Sequence, residues 1–328
     1  VERKEAMGSP SLIRIDTLHQ ERQFEGTPKV GVLMSTYNGA QYIDEQISTI
    51  ASQEGVSVSV IIRDDGSSDE TLEIAKDSLN RHLKNGSEYN IYNGQNLGFL
   101  GSFEELLLHA EGCNYYAFSD QDDSWKSCKL GKAVTVLEPY KDRPAIYASS
   151  VSIADKKLQF LTKNDFPHLK YSFAAEIIRH RLAGHTMVWN EAMQKRIREY
   201  GTISAWSHDQ HVILAGLLNN APLIMDSASY VMHRRLETSV TPGGNSMPKR
   251  LRHEWNLMMN REHKFNRQAL AARLLELSDD AMISEEDRRI LLLTAKRQYF
   301  PLFFDSSFGC GLVLGDIEAR FSMLLGRF

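Results

Sequence analysis

From Lys29 onward the chain alternates between two hydrophobic periods. Val30-Gly31-Val32-Leu33-Met34 is a short apolar run closed by the polar Ser35-Thr36-Tyr37-Asn38-Gly39. Between Ala40 and Gln53 apolar residues then return at helical spacing, at Tyr42, Ile43, Ile47 and Ile50. The pattern predicts strand, loop and helix. It recurs with Val58 to Ile62 as strand, Arg63-Asp64-Asp65-Gly66-Ser67-Ser68 as loop, and a helix from Asp69 to Leu83 whose first turn is acidic. In the third unit Tyr89 to Tyr92 is the strand, Asn93-Gly94-Gln95-Asn96-Leu97-Gly98 the loop, and Ser102 to Ala110 the helix. A fourth apolar run, Tyr115 to Phe118, ends in Ser119-Asp120-Gln121-Asp122-Asp123.

Strands alternating with helices imply an α/β fold with a mainly parallel sheet, covered on both faces, whose ligands sit at the carboxyl ends of the strands. The three polar loops and the acid cluster are therefore expected along one edge. Carboxylates packed this closely repel one another and are cheapest to hold around a cation. A solvated turn would suit the cluster on its own, but the convergence of loops favours a hard-metal site. Such a site, with few protein ligands, works best when a diphosphate completes the oxygen shell. Neither the dinucleotide fingerprint nor a P-loop occurs, so dehydrogenase and P-loop kinase readings lose their footing.

Past the cluster, Lys129 to Leu137 is expected as a helix, Ala145 to Ala154 as a buried strand pair, Val212 to Leu218 as a helix led in by His208-Asp209, and Pro222 to Met232 as a strand. Asp209 falls in the first turn of its helix, where the dipole favours the ionised form, so a capping role competes with a catalytic one. After Thr241-Pro242-Gly243-Gly244-Asn245 the composition turns helical, over Pro248 to Leu277 and Ser284 to Tyr299. The division expected is an N-terminal extension over 1–28, a main domain over 29–240 and a helical region over 241–328.

Composition narrows the classes further. A chain of 328 residues with 42% apolar residues can bury a sizeable core, and a net charge of −4 argues against nucleic acid as a partner. Cys113, Cys128 and Cys310 share no metal spacing and are odd in number, which suits a reducing cytoplasm better than a disulfide framework. No run reaches the roughly 20 apolar residues of a membrane span. Between Lys249 and Arg273 seven basic residues face two acids, with Trp255, Met258, Met259 and Phe265 interleaved. A basic amphipathic helix of this kind can rest on an anionic membrane, and a solvated face of a packing helix is the competing reading. The expected location is cytoplasmic, with peripheral contact at the inner face of the cell membrane; the apolar tail from Gly311 to Phe328 is a candidate homo-oligomer contact or a second docking helix.

Taken together, Val32-Leu33-Met34-Ser35-Thr36-Tyr37-Asn38-Gly39, Asp64-Asp65-Gly66-Ser67-Ser68-Asp69, Asn96-Leu97-Gly98-Phe99 and Ser119-Asp120-Gln121-Asp122-Asp123-Ser124-Trp125 resemble glycosyltransferase family 2, which has the GT-A fold. With Gly184-His185-Thr186-Met187-Val188 and His208-Asp209, the chain looks most like the bacterial rhamnosyltransferase-like branch, which builds cell-wall and surface polysaccharides. The resemblance covers roughly Lys29 to Thr241.

That resemblance implies a metal-dependent inverting transferase that moves a sugar from a dTDP- or UDP-sugar, rhamnose first among the candidates, to a saccharide hydroxyl; the basic helix of the tail adds a polyprenyl-linked acceptor as a candidate. It implies that Thr36, Tyr37 and Asn38 line the nucleotide pocket, that Asp65 bonds the pyrimidine, that Asn96 and Gly98 shape its pocket, and that Gln121 lies with the donor. Asp120 and Asp122 would flank Mn²⁺ or Mg²⁺, Asp122 as the direct ligand and Asp120 nearer the ribose or donor sugar; Asp209 would be the general base. Two departures stand out: Gln210-His211 replace aromatic residues after the His-Asp pair, and Leu236 in His233-Arg234-Arg235-Leu236 occupies the position of a histidine ligand, leaving His233 as its substitute. A UDP-hexose donor, a nucleotidyltransferase and a non-catalytic carbohydrate-binding protein are the alternatives.

Overall fold

The computed structural model describes residues 11–15, 26–83, 86–236, 266–279, 282–326 and 328. Its strands are β1 (Leu12–Ile15), β2 (Lys29–Thr36), β3 (Ser57–Asp64), β4 (Glu88–Asn93), β5 (Tyr115–Ser119), β6 (Ser124–Trp125), β7 (Ile146–Ala154), β8 (Phe160–Asn164), β9 (Met187–Asn190) and β10 (Leu223–Arg234). Its α-helices are α1 (Ile43–Ala51), α2 (Thr71–His82), α3 (Gly98–His109), α4 (Lys129–Leu137), α5 (Phe173–Ile178), α6 (Glu191–Tyr200), α7 (His208–Leu218), α8 (Arg267–Leu277), α9 (Glu285–Ala295), α10 (Tyr299–Phe303) and α11 (Val313–Leu324).

All ten strands join one sheet in the order β1-β10-β7-β9-β5-β2-β3-β4, with β6 on β10 and β8 on β7. The block β5-β2-β3-β4 is parallel, as is β1-β10-β7, and β9 runs antiparallel to both its neighbours and joins the blocks. Nearly every residue of β2, β3 and β5 is buried. Strands buried along their whole length are covered on both faces, which is why they read as apolar runs rather than alternations. Phe118 of β5 packs on Trp189 of β9 at 4.6 Å between ring centroids and on Phe103 of α3 at 5.5 Å.

Three expectations need correction. Ala145 to Ala154 is one strand rather than a pair: Ser149 and Ser150, which resemble a turn, are buried within β7. The hairpin partner of β7 is β8, further along. Residues 12–15, for which no element is predicted, form the edge strand β1, which lies parallel to β10. The helix predicted from Ser284 to Tyr299 ends earlier, at Ala295 of α9: Arg297 takes a φ of 55°, and the separate helix α10 begins at Tyr299.

The hinge-like segment after Thr241 and most of the basic stretch Lys249–Arg273 lie outside the described residues. Arg267 and Arg273, its two described basic residues, turn inward. Arg267 donates to Ile177 O at 2.9 Å between the rings of Trp206 and Phe328, and Arg273 donates to Tyr200 O at 3.1 Å. Leu270, Leu274, Leu291 and Leu302 belong to the same buried cluster as the sheet, so the C-terminal helices extend the main core. The outer face of α11 leaves Val313, Leu314, Ile317 and Leu324 exposed. Among the described residues no helix is long and apolar enough to cross a membrane.

Candidate active site

The parallel strands β2, β3, β4 and β5 deliver their polar tips to one rim. Thr36, the last residue of β2, is buried and its hydroxyl donates to Asp64 Oδ1 at 2.8 Å. Asn38 takes a φ of 46°; its amide donates to Ser67 Oγ and its side-chain oxygen accepts from the Ser68 amide, which ties the first loop to the second. Tyr37 is half exposed beside them. Gln121 spans Tyr37, accepting from its amide at 2.9 Å and donating to its carbonyl at 3.1 Å. A Cβ at Gly39 would sit 2.2 Å from Gln121 Oε1, so glycine is required for that bridge.

The second and third loops meet at Asp65. Its Oδ1 pairs with Arg63 and accepts the Leu97 amide at 2.8 Å, while Arg63 also donates to Gln95 O at 3.0 Å. Asn96 Oδ1 accepts from the amide of Gly98, whose φ of 72° suits glycine. Arg63 is thus a member of the site that sequence reasoning passed over; its one signal was its place just before Asp64-Asp65.

Beyond β5, the acid cluster meets two histidines. Asp120, Asp123, His185 and His233 each bring a potential ligand atom within 4.8 Å of the others. His185 Nδ1 lies 2.9 Å from Asp120 Oδ2, His233 Nδ1 lies 2.8 Å from Asp123 Oδ1, and the two rings stack at 4.6 Å. Asp123 Oδ2 and His185 Nε2 are buried without hydrogen-bond partners. Burying such atoms is costly unless something binds them. Two carboxylates, two imidazoles and these orphaned atoms fit a divalent cation.

Of the two residues expected to flank the metal, Asp120 is in the group and Asp122 is not. Asp122 instead accepts on its backbone oxygen from Arg234 Nε at 2.9 Å, and Arg234 also reaches Glu45 Oε2. Asp123 and His185 went unassigned, although both stand inside the motifs that carried the resemblance; they converge only once the sheet brings together the segment after β5, the turn that leads into β9 and, across β7, the end of β10.

The charges respond as a crowded acid group should. Burial pushes the Asp122 carboxyl up, with Asp120 and Asp123 adding repulsion, to about 7. At Asp120 burial acts the same way, but the His185 hydrogen bond and the neighbouring imidazoles outweigh it and bring the carboxyl down to about 2. His233 is opposed by burial, yet the facing carboxylates, Asp123 first, raise it to about 9.

Asp209 opens α7 next to this group. Its Oδ2 accepts the Gly184 amide at 3.1 Å, and Gly184 directly precedes His185. Its Oδ1 accepts from the Gln210 amide and from the Ser207 hydroxyl. Burial disfavours its charge, but the His180 imidazole and the hydrogen bonds prevail and hold the carboxyl well below its ordinary range. The Asp209 carboxylate is thus hydrogen-bonded to the residue that directly precedes His185 of the candidate metal group.

The sheet, with its parallel block β5-β2-β3-β4 and helices on its faces, is of GT-A type. The model of glycosyl transferase family 2 matches residues 31–197, half of the chain, and the chain belongs to that family. An uncharacterized glycosyltransferase of Haemophilus influenzae is 40% identical over 118 residues, 35% of this chain and 34% of that protein. The dTDP-rhamnosyl transferase RfbG of Shigella flexneri is 35% identical over 107 residues, 32% of this chain and 36% of that protein. The matches thus span about a third of the length of each curated relative. Among solved structures, S. aureus TarS 1-349 in complex with UDP-GlcNAc superposes with a TM-score of 0.54 at 16% identity over 91% of each chain, a likeness of fold.

Proposed function

We propose that the chain is an inverting, metal-dependent glycosyltransferase that moves a sugar, with dTDP-rhamnose as the first candidate donor, to a hydroxyl of a growing cell-surface or cell-wall polysaccharide. The observation that carries this reading is the continuity of Gly184 and His185, which puts Asp209 beside the Asp120-Asp123-His185-His233 group at the rim of the nucleotide loops. Rhamnose is favoured by the similarity to RfbG, described as a dTDP-rhamnosyl transferase. The main domain is taken as 29–240 and the helical region as 241–328; a polyprenyl-linked acceptor, peripheral membrane contact and a homo-oligomer through the exposed face of α11 belong to the same proposal.

In this reading Asp65 keeps Oδ2 for the N3–H of uracil or thymine while Arg63 and the Leu97 amide occupy Oδ1. Asn38, Asn96 and Gly98 shape the nucleotide cleft, and Gln121 and Thr36 brace it rather than reach into it. Asp120, Asp123, His185 and His233 would hold the cation, with Asp122 near it, and the two imidazoles favour Mn²⁺ over Mg²⁺. A divalent ion supplies neutralisation of charge growing on the leaving diphosphate. Asp209 takes the proton of the acceptor hydroxyl as that oxygen bonds the anomeric carbon; the bond from that carbon to the diphosphate breaks, and its electron pair leaves with the nucleoside diphosphate.

The reading is tested with dTDP-rhamnose, UDP-glucose, UDP-galactose and UDP-N-acetylglucosamine, each with Mn²⁺, followed by thermal shift and by release of nucleoside diphosphate. One donor should stabilise the chain and be turned over, and Asp209→Asn should cut that turnover by roughly 10²- to 10⁴-fold with donor binding retained. Pyrophosphate as the product would make it a nucleotidyltransferase instead, and no turnover of any donor would leave a binding protein.

A further inference from the structure

We propose that His180 is a positioning residue for Asp209: an imidazolium inserted between Glu176 and Asp209 that holds the base ionised and directs one of its oxygens toward the acceptor. The inference rests on the reading of Asp209 as base and names a residue that neither the motifs nor the relatives point to.

His180 is largely buried, two residues beyond α5. Its Nδ1 lies 2.7 Å from Glu176 Oε2. Its Nε2 lies 2.6 Å from Leu182 O and 3.3 Å from Asp209 Oδ1. Carbonyl and carboxylate oxygens only accept, so both ring nitrogens must donate, and a ring that donates twice is the charged form. Burying two carboxylates side by side is costly without such a cation.

The surrounding hydrogen bonds hold this arrangement in register. Gln210 Nε2 donates to Glu176 O at 2.9 Å and its backbone amide donates to Asp209 Oδ1 at 2.9 Å, so α5 and α7 are fixed against each other across the histidine. Asp209 Oδ1 thereby faces Ser207, the Gln210 amide and His180, whereas Oδ2 faces the Gly184 amide. Oδ1 is saturated and Oδ2 keeps a lone pair for an incoming proton.

Of the other charged groups on the elements around α5, His208 of α7 also faces Asp209, but it is stacked on Phe103 at 3.9 Å and burial disfavours its charged form. Arg267 of α8 donates to Ile177 O, Arg289 of α9 pairs with Asp305, and Glu318 of α11 pairs with Arg179. Glu176 and Asp209 are the carboxylates that act on His180, and although burial opposes its charge, they keep it protonated well above the ordinary imidazole range.

Two measurements test the inference. In the wild-type chain labelled with ¹⁵N-histidine, the His180 ring should show both nitrogens protonated from pH 6 to beyond pH 8; a single protonated nitrogen at neutral pH overturns it, and this reading needs no substrate. In His180→Gln, release of nucleoside diphosphate from dTDP-rhamnose with Mn²⁺ should slow on the order of 10- to 100-fold in kcat with an unchanged KM. The acid limb of its pH profile should move up by about 1 to 3 units, because a carboxylate that loses an adjacent cation becomes easier to protonate. A merely structural role would lower activity at every pH and leave the limb in place, and that result contradicts the proposal. Asp209→Asn separates the two levels: if it turns over normally the base assignment fails, whereas if it is inactive and the His180→Gln limb is unmoved, only the role of His180 fails.

Discussion

The Gly184 amide donates to Asp209 Oδ2 over 3.1 Å, and a side chain at position 184 would break that approach. A Cβ there would come within 2.6 Å of His208 Nε2 and 3.3 Å of Asp209 Cβ. Both neighbours are held: His208 is stacked among aromatic rings, and Asp209 is in the first turn of α7. Gly184→Ala is therefore expected to displace the carboxylate and lower kcat on the order of 10²-fold while nucleotide binding persists. Steady-state kinetics alongside a nucleotide titration checks this, and unchanged kcat would show that the contact does not position the base.

The metal group makes a prediction that differs from the Asp-x-Asp pattern. Asp123 is completely buried and carries an oxygen with no hydrogen-bond partner, whereas Asp122 is outside the four-residue group. Asp123→Asn should weaken Mn²⁺ binding by at least ~10-fold, and more than Asp122→Asn does. Calorimetric titration of the purified chain with Mn²⁺ decides, and a larger loss in Asp122→Asn would return the ligand role to that residue.

A separate prediction concerns stability. His211 is buried on α7, and burial, which outweighs a hydrogen bond to the Gly201 backbone, lowers its imidazole to about 4. In the unfolded chain the value is near ~6.5, so below that pH the unfolded state binds a proton that the folded state does not. The contribution is complete above about 6.5 and declines as pH falls toward 4. His211→Gln should shrink the drop in unfolding free energy between pH 7.5 and pH 5 by about 2 kcal/mol. Denaturant unfolding at the two pH values measures it; parallel losses in the two proteins would show that His211 is not the group responsible.

The sheet was legible where each strand is an apolar run closed by Gly, Asn or Asp, as in β2, β3 and β5, because burial on both faces leaves that signature. Strand β9 was not: Met187–Asn190 is four residues long inside a mixed stretch, and its antiparallel place between β5 and β7 is a tertiary fact. Ser149 and Ser150 concealed the length of β7, since buried hydroxyls resemble a turn in sequence. At the site, the loops carrying Thr36, Asn38, Asp65, Asn96 and Gly98 could be placed on one rim from strand order alone. His185 and Arg63 could not, and His233 entered only as the substitute for the ligand position at Leu236, because a lone histidine or arginine gains meaning only from the carboxylate it faces.

The central claim is that one rim binds a nucleotide at Asp65 together with a divalent ion at the Asp120-Asp123-His185-His233 group. Its most direct test is calorimetric titration of UDP and dTDP into the chain with and without Mn²⁺, repeated with Asp65→Asn and Asp123→Asn. Mn²⁺ should tighten nucleotide binding, Asp65→Asn should cost about 10-fold or more with the metal effect intact, and Asp123→Asn should abolish the metal effect. Nucleotide binding that is indifferent to Mn²⁺ and to both substitutions would contradict the account.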